Sequence, residues 1–338
     1  MRYDSRNASA WDAMILASRN YTFFHCMGWA KAIAATYGNR CLFVATRDGD
    51  DFAAVPLVVK RGPLSGPRGV CLPFSDFCGP VYTDRRVLDG LTGHLQSMAR
   101  SRKWKGLEIR TDCRMPGFAP GERYFEHVLS LRRTEEDLFR SFRPSTRRNI
   151  QRAIQAGVKV EISRDPRALD SFYRLHCLTR KRLGVPPQPK LFFRNVLRFV
   201  IEPGDGFVAR CRYRDTTVAA AVFLHFGSAA VYKFGASLPD RERLRPNNLL
   251  MWEAIRWYMA RGYRSLSLGR TDPEDEGLMQ FKNGWGAVCR EVRYSRWPPV
   301  HRGGRGVETR LSRIVSPILK FMPVSALRCI GTIGYRLL

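Results

Sequence analysis

Residues Phe207–Tyr213 (FVARCRY), Val218–Phe226 (VAAAVFLHF) and Ala229–Ala236 (AAVYKFGA) are three apolar runs separated by Arg214–Thr217 and by Gly227-Ser228. Runs of this length with such short polar joints read as a meander of three strands. A helix follows from about Asn247 to Arg261, because Met251, Ile255 and Tyr258 recur at helical spacing with Leu250, Ala254 and Trp257 beside them. Gly262 ends that helix, and Ser265–Leu268 reads as the next strand, followed by Gly269-Arg270-Thr271.

Earlier in the chain the same order occurs once more. Cys41–Thr46 and Phe52–Lys60 read as strands around the Asp48-Gly49 turn, and a Gly/Pro loop covers 62–69. A helix over Arg85–Arg102 places Val87, Leu88, Leu91, Leu95 and Met98 on one side, and Gly106–Thr111 is a strand. A meander, a helix and a strand, occurring twice, predict an α+β protein with two related mixed, largely antiparallel sheets flanked by helices. Pro116, Gly117, Pro120 and Gly121 interrupt the periodicity, which sets the expected domains at 1–120 and 121–297. The remaining 298–338 hold seven Lys/Arg and one Glu around two apolar stretches, Leu311–Met322 (interrupted at Pro317) and Val324–Leu338. They read as a basic amphipathic helical tail that lies in a membrane interface without spanning it, or packs back on the first domain.

Charge narrows the partners. The chain has 338 residues, 57 Lys plus Arg and 30 Asp plus Glu, a formal charge of +27, which favours nucleic acid, phosphorylated molecules or an anionic membrane face. Nine cysteines form no C-x-x-C pair and no His stands at ligand spacing from them, so neither a metal site nor a disulfide framework is expected and a reducing cytosol fits. The opening residues lack the apolar core of a signal peptide, and no run approaches the length of a membrane span. No Ser-His-Asp or Cys-His arrangement is readable.

Three blocks carry a resemblance. The first is Leu138–Phe142 with Arg147–Ala153 and Gly157-Val158; the second is Tyr232–Ser237 with Pro246–Ile255 and Gly262-Tyr263; the third is Gly269–Asp272 with Gly277–Gly286. With the shorter His25–Lys31 element, which contains Trp29-Ala30-Lys31, they resemble the Fem transferases, relatives of the GNAT superfamily. The resemblance covers about residues 20–297. It implies two tandem GNAT-like domains with the acceptor between them, a nucleotide- or lipid-linked sugar-peptide as acceptor, and an aminoacyl-tRNA as donor. A wider group of similar proteins occurs with exopolysaccharide and protein-sorting systems. The expected activity is an acyl- or aminoacyltransferase forming an amide on the amino group of a cell-envelope or exopolysaccharide precursor, without a covalent enzyme intermediate. No permanently bound cofactor is implied, and the expected place of work is the cytoplasm, peripherally on the inner membrane.

Amide formation passes through a tetrahedral oxyanion, which calls for a positive group beside the reacting carbonyl. The resemblance gives that role to Lys282, with Phe281 shaping the site, and Asp272 is the candidate general base. Lys31 with Trp29, Arg147 with Arg148, Tyr232 and Arg270 are the candidate acceptor contacts. Arg148 and Arg152 share a helix face suited to phosphate, or to water. The loop before the second-half helix, Leu238–Pro246, contains no glycine, which argues against a backbone cradle for the pyrophosphate of acyl-CoA. An acyl-CoA-dependent GNAT N-acyltransferase remains the alternative donor reading, and a non-catalytic RNA-binding protein the alternative of another class.

Overall fold

The computed structural model describes residues 2–3, 8–18, 20–62, 66–299 and 316–337. The meander expected over 207–236 is present as β9 (Gly206–Tyr213), β10 (Thr216–Phe226) and β11 (Ala229–Ser237), and its first-half counterpart as β2 (Arg40–Asp48), β3 (Asp51–Gly62) and β4 (Gly66–Cys71). The β10 run is apolar from Val218 to Leu224 because both of its faces are buried there. Ala220, Val222 and Leu224 join one core while Ala219, Ala221 and Phe223 join another, following the two-residue period of a strand.

Each meander leads through a helix to a strand that pairs in parallel with the meander's last member. Helix α3 (Arg85–Ser101) leads from β4 to β6 (Leu107–Thr111), and α8 (Pro246–Met259) leads from β11 to β12 (Ser265–Thr271). The α3 stripe of Val87, Leu88, Leu91 and Leu95 is buried as its spacing requires.

The halves do not form separate sheets. Strand β7 (Arg123–Ser130) follows β6 in the chain but pairs with β12, and β13 (Val288–Trp297) follows β12 but pairs with β6. The two exchanged strands also pair with each other. One sheet of thirteen strands results, ordered β1-β2-β3-β4-β6-β13-β7-β12-β11-β10-β9-β8, with β1 (Arg2–Tyr3) and β8 (Lys159–Ser163) at its ends and β5 (Val81–Tyr82) paired to β3 off that path. It is mixed and flanked by helices, as the sequence predicts.

A second bond between the halves is apolar. Helix α2 (Met27–Tyr37), which follows α1 (Ala8–Leu16), packs on α7 (Lys190–Val196) and on the π-helical turn 197–201. Trp29 is fully buried against Phe23, Phe24 and Phe192, and a Cβ on Gly28 would stand 2.6 Å from the Phe199 carbonyl oxygen. Glycine there lets the helices approach. The remaining helices are α4 (Glu135–Ser141), α5 (Pro144–Gln155), α6 (Pro166–Arg182), α9 (Glu276–Asn283) and α10 (Val324–Leu337).

Helix α10 lies on α6, with Gly331 against Pro187 and Tyr335 reaching Phe74 of the first half. A helical stretch, 316–321, precedes it; Leu311, Ile314 and Val315 lie outside the described residues.

Candidate active site

Parallel pairing between β11 and β12 ends at Val231 and Ser267, although both strands run on. At this point β12 carries a bulge: its register against β7 jumps between Ser267 and Arg270, and Gly269 has φ +76°. That left-handed conformation suits glycine. The opening beside the bulge is filled from the first half. Asp76 accepts two hydrogen bonds from Lys233 Nζ, at 3.0 and 3.1 Å, and a Cβ on Gly269 would stand 3.3 Å from Asp76 Oδ2 and from the Tyr232 carbonyl.

Behind the bulge stands Lys282, on the last turn of α9. Its ammonium donates to the carbonyls of Gly269 (2.7 Å) and Arg270 (3.1 Å), and the residue is 2% exposed. Burial pushes its pKa down to about 8, opposed chiefly by the carboxylates of Asp76 and Glu126. Burial likewise lowers Lys233, opposed by Asp76. Glu126 is itself buried and held by Ser267 Oγ at 2.6 Å and by Arg290 at 2.6 Å. His127, fully buried, shares a hydrogen bond with Asn283 at 3.1 Å, and burial lowers its pKa.

In front of Asp76 and Lys233 is a cavity of about 320 Å³. Five cations line it, Lys60, Arg110, Arg180, Lys233 and Arg270, against one carboxylate, Asp76. Their positions are built in. Arg110 donates to the Ser75 carbonyl at 2.6 Å and lies over the Tyr294 ring at 4.6 Å. Arg270 lies over Tyr124 at 4.1 Å and donates to the Tyr294 hydroxyl. Tyr37, Phe74 and Tyr335 form an aromatic wall, in which Phe74 holds a φ of 60°, a costly conformation for a bulky side chain. A cavity with this charge accepts an anion large enough to meet several cations together, as a diphosphate does. A larger hollow, about 730 Å³, is lined by Leu131, Arg132, Arg133, Thr134 and Asp137, but its one carboxylate is already taken by the Thr134 hydroxyl at 2.6 Å.

Of the residues singled out from the sequence, Arg270 lines the cavity and Lys282 stands behind its wall. Phe281 packs on Trp285 with ring centroids 5.9 Å apart. Asp272 lies on an exposed turn and accepts from the Glu274 amide at 3.1 Å. Tyr232 packs on Phe223, with its hydroxyl filling the space beside Gly235. Trp29 belongs to the core, and Lys31 is half-buried on α2, within electrostatic reach of Asp12. Arg147 is half-buried and Arg148 exposed on α5, which packs on α8. None of these last seven lines the cavity. Sequence reading missed Asp76, Lys233 and Arg110. The available signal was a lysine inside an otherwise apolar strand and an arginine alternating with Ile109.

The family described as "Acetyltransferase (GNAT) domain" matches residues 140–283, which include the second of the two meander-helix-strand units and the bulge on β12. Over most of its length the chain is similar to FemAB-like proteins. It is 20% identical to a Lipid II:glycine glycyltransferase of Staphylococcus haemolyticus (strain JCSC1435), over 83% of this chain and 88% of that protein. The crystal structure of FemX superposes with a TM-score of 0.69 at 16% identity, over 94% of this chain and 100% of the other. A tandem GNAT protein from the clavulanic acid biosynthesis pathway superposes with a TM-score of 0.53 at 10% identity, over 87% and 94%.

Proposed function

We propose that this protein transfers an aminoacyl group from aminoacyl-tRNA to the amino group of a phosphorylated, lipid-linked cell-envelope precursor, at the cytoplasmic face of the membrane. The observation that carries the reading is the cationic cavity between the halves, beside the bulge and the buried Lys282. Likeness to glycyltransferases named for lipid II supports the acceptor class. The glycine-free loop supports tRNA over acyl-CoA: it forms a 3-10 turn over Pro239–Leu244 whose Arg241 and Arg243 face solvent.

In the reaction the acceptor's ammonium first gives up a proton. Its nitrogen then attacks the ester carbonyl of the donor, the C–N bond forms, and the C–O bond breaks as the released alcohol takes a proton. Asp76 is the acid lining the cavity and is better placed than Asp272 to receive the acceptor's proton. Lys282 supplies positive charge in a desolvated position behind the bulge, where it favours the oxyanion over the neutral ester. The cavity cations hold the phosphates, and the halves 1–120 and 121–297 act as acceptor side and catalytic side.

The test is incubation of the purified protein with a lipid-linked sugar-peptide precursor and either charged tRNA or acyl-CoA, with products read by mass spectrometry. The expected product is the aminoacylated precursor, formed with charged tRNA alone. Product from acyl-CoA alone overturns the donor assignment, and no product with either donor overturns the reading.

A further inference from the structure

Helix α10 has two faces. Leu327, Gly331 and Tyr335 turn inward: Leu327 is fully buried, and a Cβ on Gly331 would stand 2.0 Å from the Pro187 carbonyl oxygen. Tyr335 lines the cavity, its hydroxyl donating to the Pro186 carbonyl at 3.2 Å and accepting from Arg180 at 2.8 Å. The other face presents Ile330 and Ile333. With Ile318 and Phe321 of the preceding helical stretch they leave four large apolar side chains in solvent, Phe321 at 88%, Ile333 at 66% and Ile318 at 63% exposure. Leu319 is turned inward instead.

The charge along this stretch has one sign. Lys320 and Arg328 are exposed beside it, and the sequence contains no Asp or Glu from residue 309 to 338. Exposed aliphatic and aromatic side chains among unopposed cations match an anionic bilayer surface: the cations are drawn to lipid phosphate and the apolar side chains enter below it. Among the described residues no helix is long and apolar enough to cross a membrane, so the contact is interfacial.

We infer that residues 316–337 dock the protein on an anionic lipid bilayer, and that α10 thereby sets the cavity beside the leaflet. Ile333 and Tyr335 are two residues apart on one helix, so lipid surface and cavity wall are separated by about one helix diameter, roughly 10 Å. Docking stands without the acyl-transfer reading; its use in presenting a lipid-linked acceptor rests on that reading.

The experiment is co-sedimentation of the full chain with phosphatidylcholine vesicles, with and without phosphatidylglycerol, in the absence of donor and acceptor. Binding is expected to require phosphatidylglycerol and to weaken with salt. The Phe321→Asp/Ile333→Asp variant should partition about tenfold less or worse, with an unchanged melting temperature because both side chains are already in water. Lys320→Glu, a second variant at an exposed position, should weaken binding to the anionic vesicles only. No binding at low salt, or binding undiminished in the Phe321/Ile333 variant, overturns the inference. So does a dimer in solution that this variant dissociates, which would assign the strip to a second copy. Because no turnover is read, failure here leaves the proposed reaction standing, and failure of that reaction leaves docking standing.

Discussion

Asp76 and Lys233 are 157 residues apart in sequence and form an ion pair, 3.0 Å from Nζ to Oδ1, that joins the two halves beside the bulge. Both side chains are largely buried, at 15% and 7% exposure, so each depends on the other to offset its lost hydration. Asp76→Asn leaves a buried ammonium without its carboxylate and should destabilise by about 3 kcal/mol. Adding Lys233→Met should return much of that loss in a double-mutant cycle of denaturant unfolding. Additive losses would mean that the pair does not act as a unit.

The role proposed for Lys282 predicts a pH limb in turnover. Its ammonium is charged below about pH 8 and neutral above it. Stabilisation of an oxyanion needs the charged form, so kcat should fall as pH rises through about 8. Lys282→Met should lose most of its turnover and show no such limb in what remains. A kcat that stays level well above pH 8 would remove this charge from the reaction.

Asp12 predicts a pH effect on stability instead. Burial raises its carboxyl from 3.8 to about 6, while Oδ1 accepts from the Met27 amide at 2.9 Å. Between these values the folded state keeps a proton that the unfolded chain has lost, so stability falls as pH rises through that window. Asp12→Asn keeps the acceptor oxygen and removes the titration. Its melting temperature should exceed that of the parent above about pH 6 and converge with it below about pH 4. A constant difference across that range would contradict the assignment.

Gly269→Ala should cost about 1–2 kcal/mol from the left-handed backbone alone. Its methyl would also press on Asp76 Oδ2 at 3.3 Å. The variant should therefore lose both stability and affinity for a diphosphate ligand, measured by denaturant titration and calorimetry. Full stability would show that the bulge relaxes freely.

What could be read from the sequence followed from local pattern. The β9–β11 meander, α3 and α8 were legible because each buries residues at its own period. The exchange of β7 and β13 was not, since a strand's period says which face it buries and nothing about its neighbour. The region 135–201 also resisted, since Phe192 is apolar for its contact with Trp29 of the other half rather than for its own element. In the candidate site, Arg270 and Lys282 lay in the quoted motifs. Asp76 sits in an irregular loop, where pairing with Lys233 depends on the tertiary fold alone.

The exchange of β7 and β13 bears on how the chain can be divided. A polypeptide cut between Gly117 and Gly121 would yield an amino-terminal fragment without the strand that borders β6, because β13 stays with the other piece. The carboxy-terminal piece would retain both exchanged strands but lose the α2 surface that covers α7. Each fragment alone would present an unpaired strand edge or a bare apolar face to water. Expressed separately they should aggregate; expressed together they should reassemble non-covalently, making this fold a natural split-protein reporter.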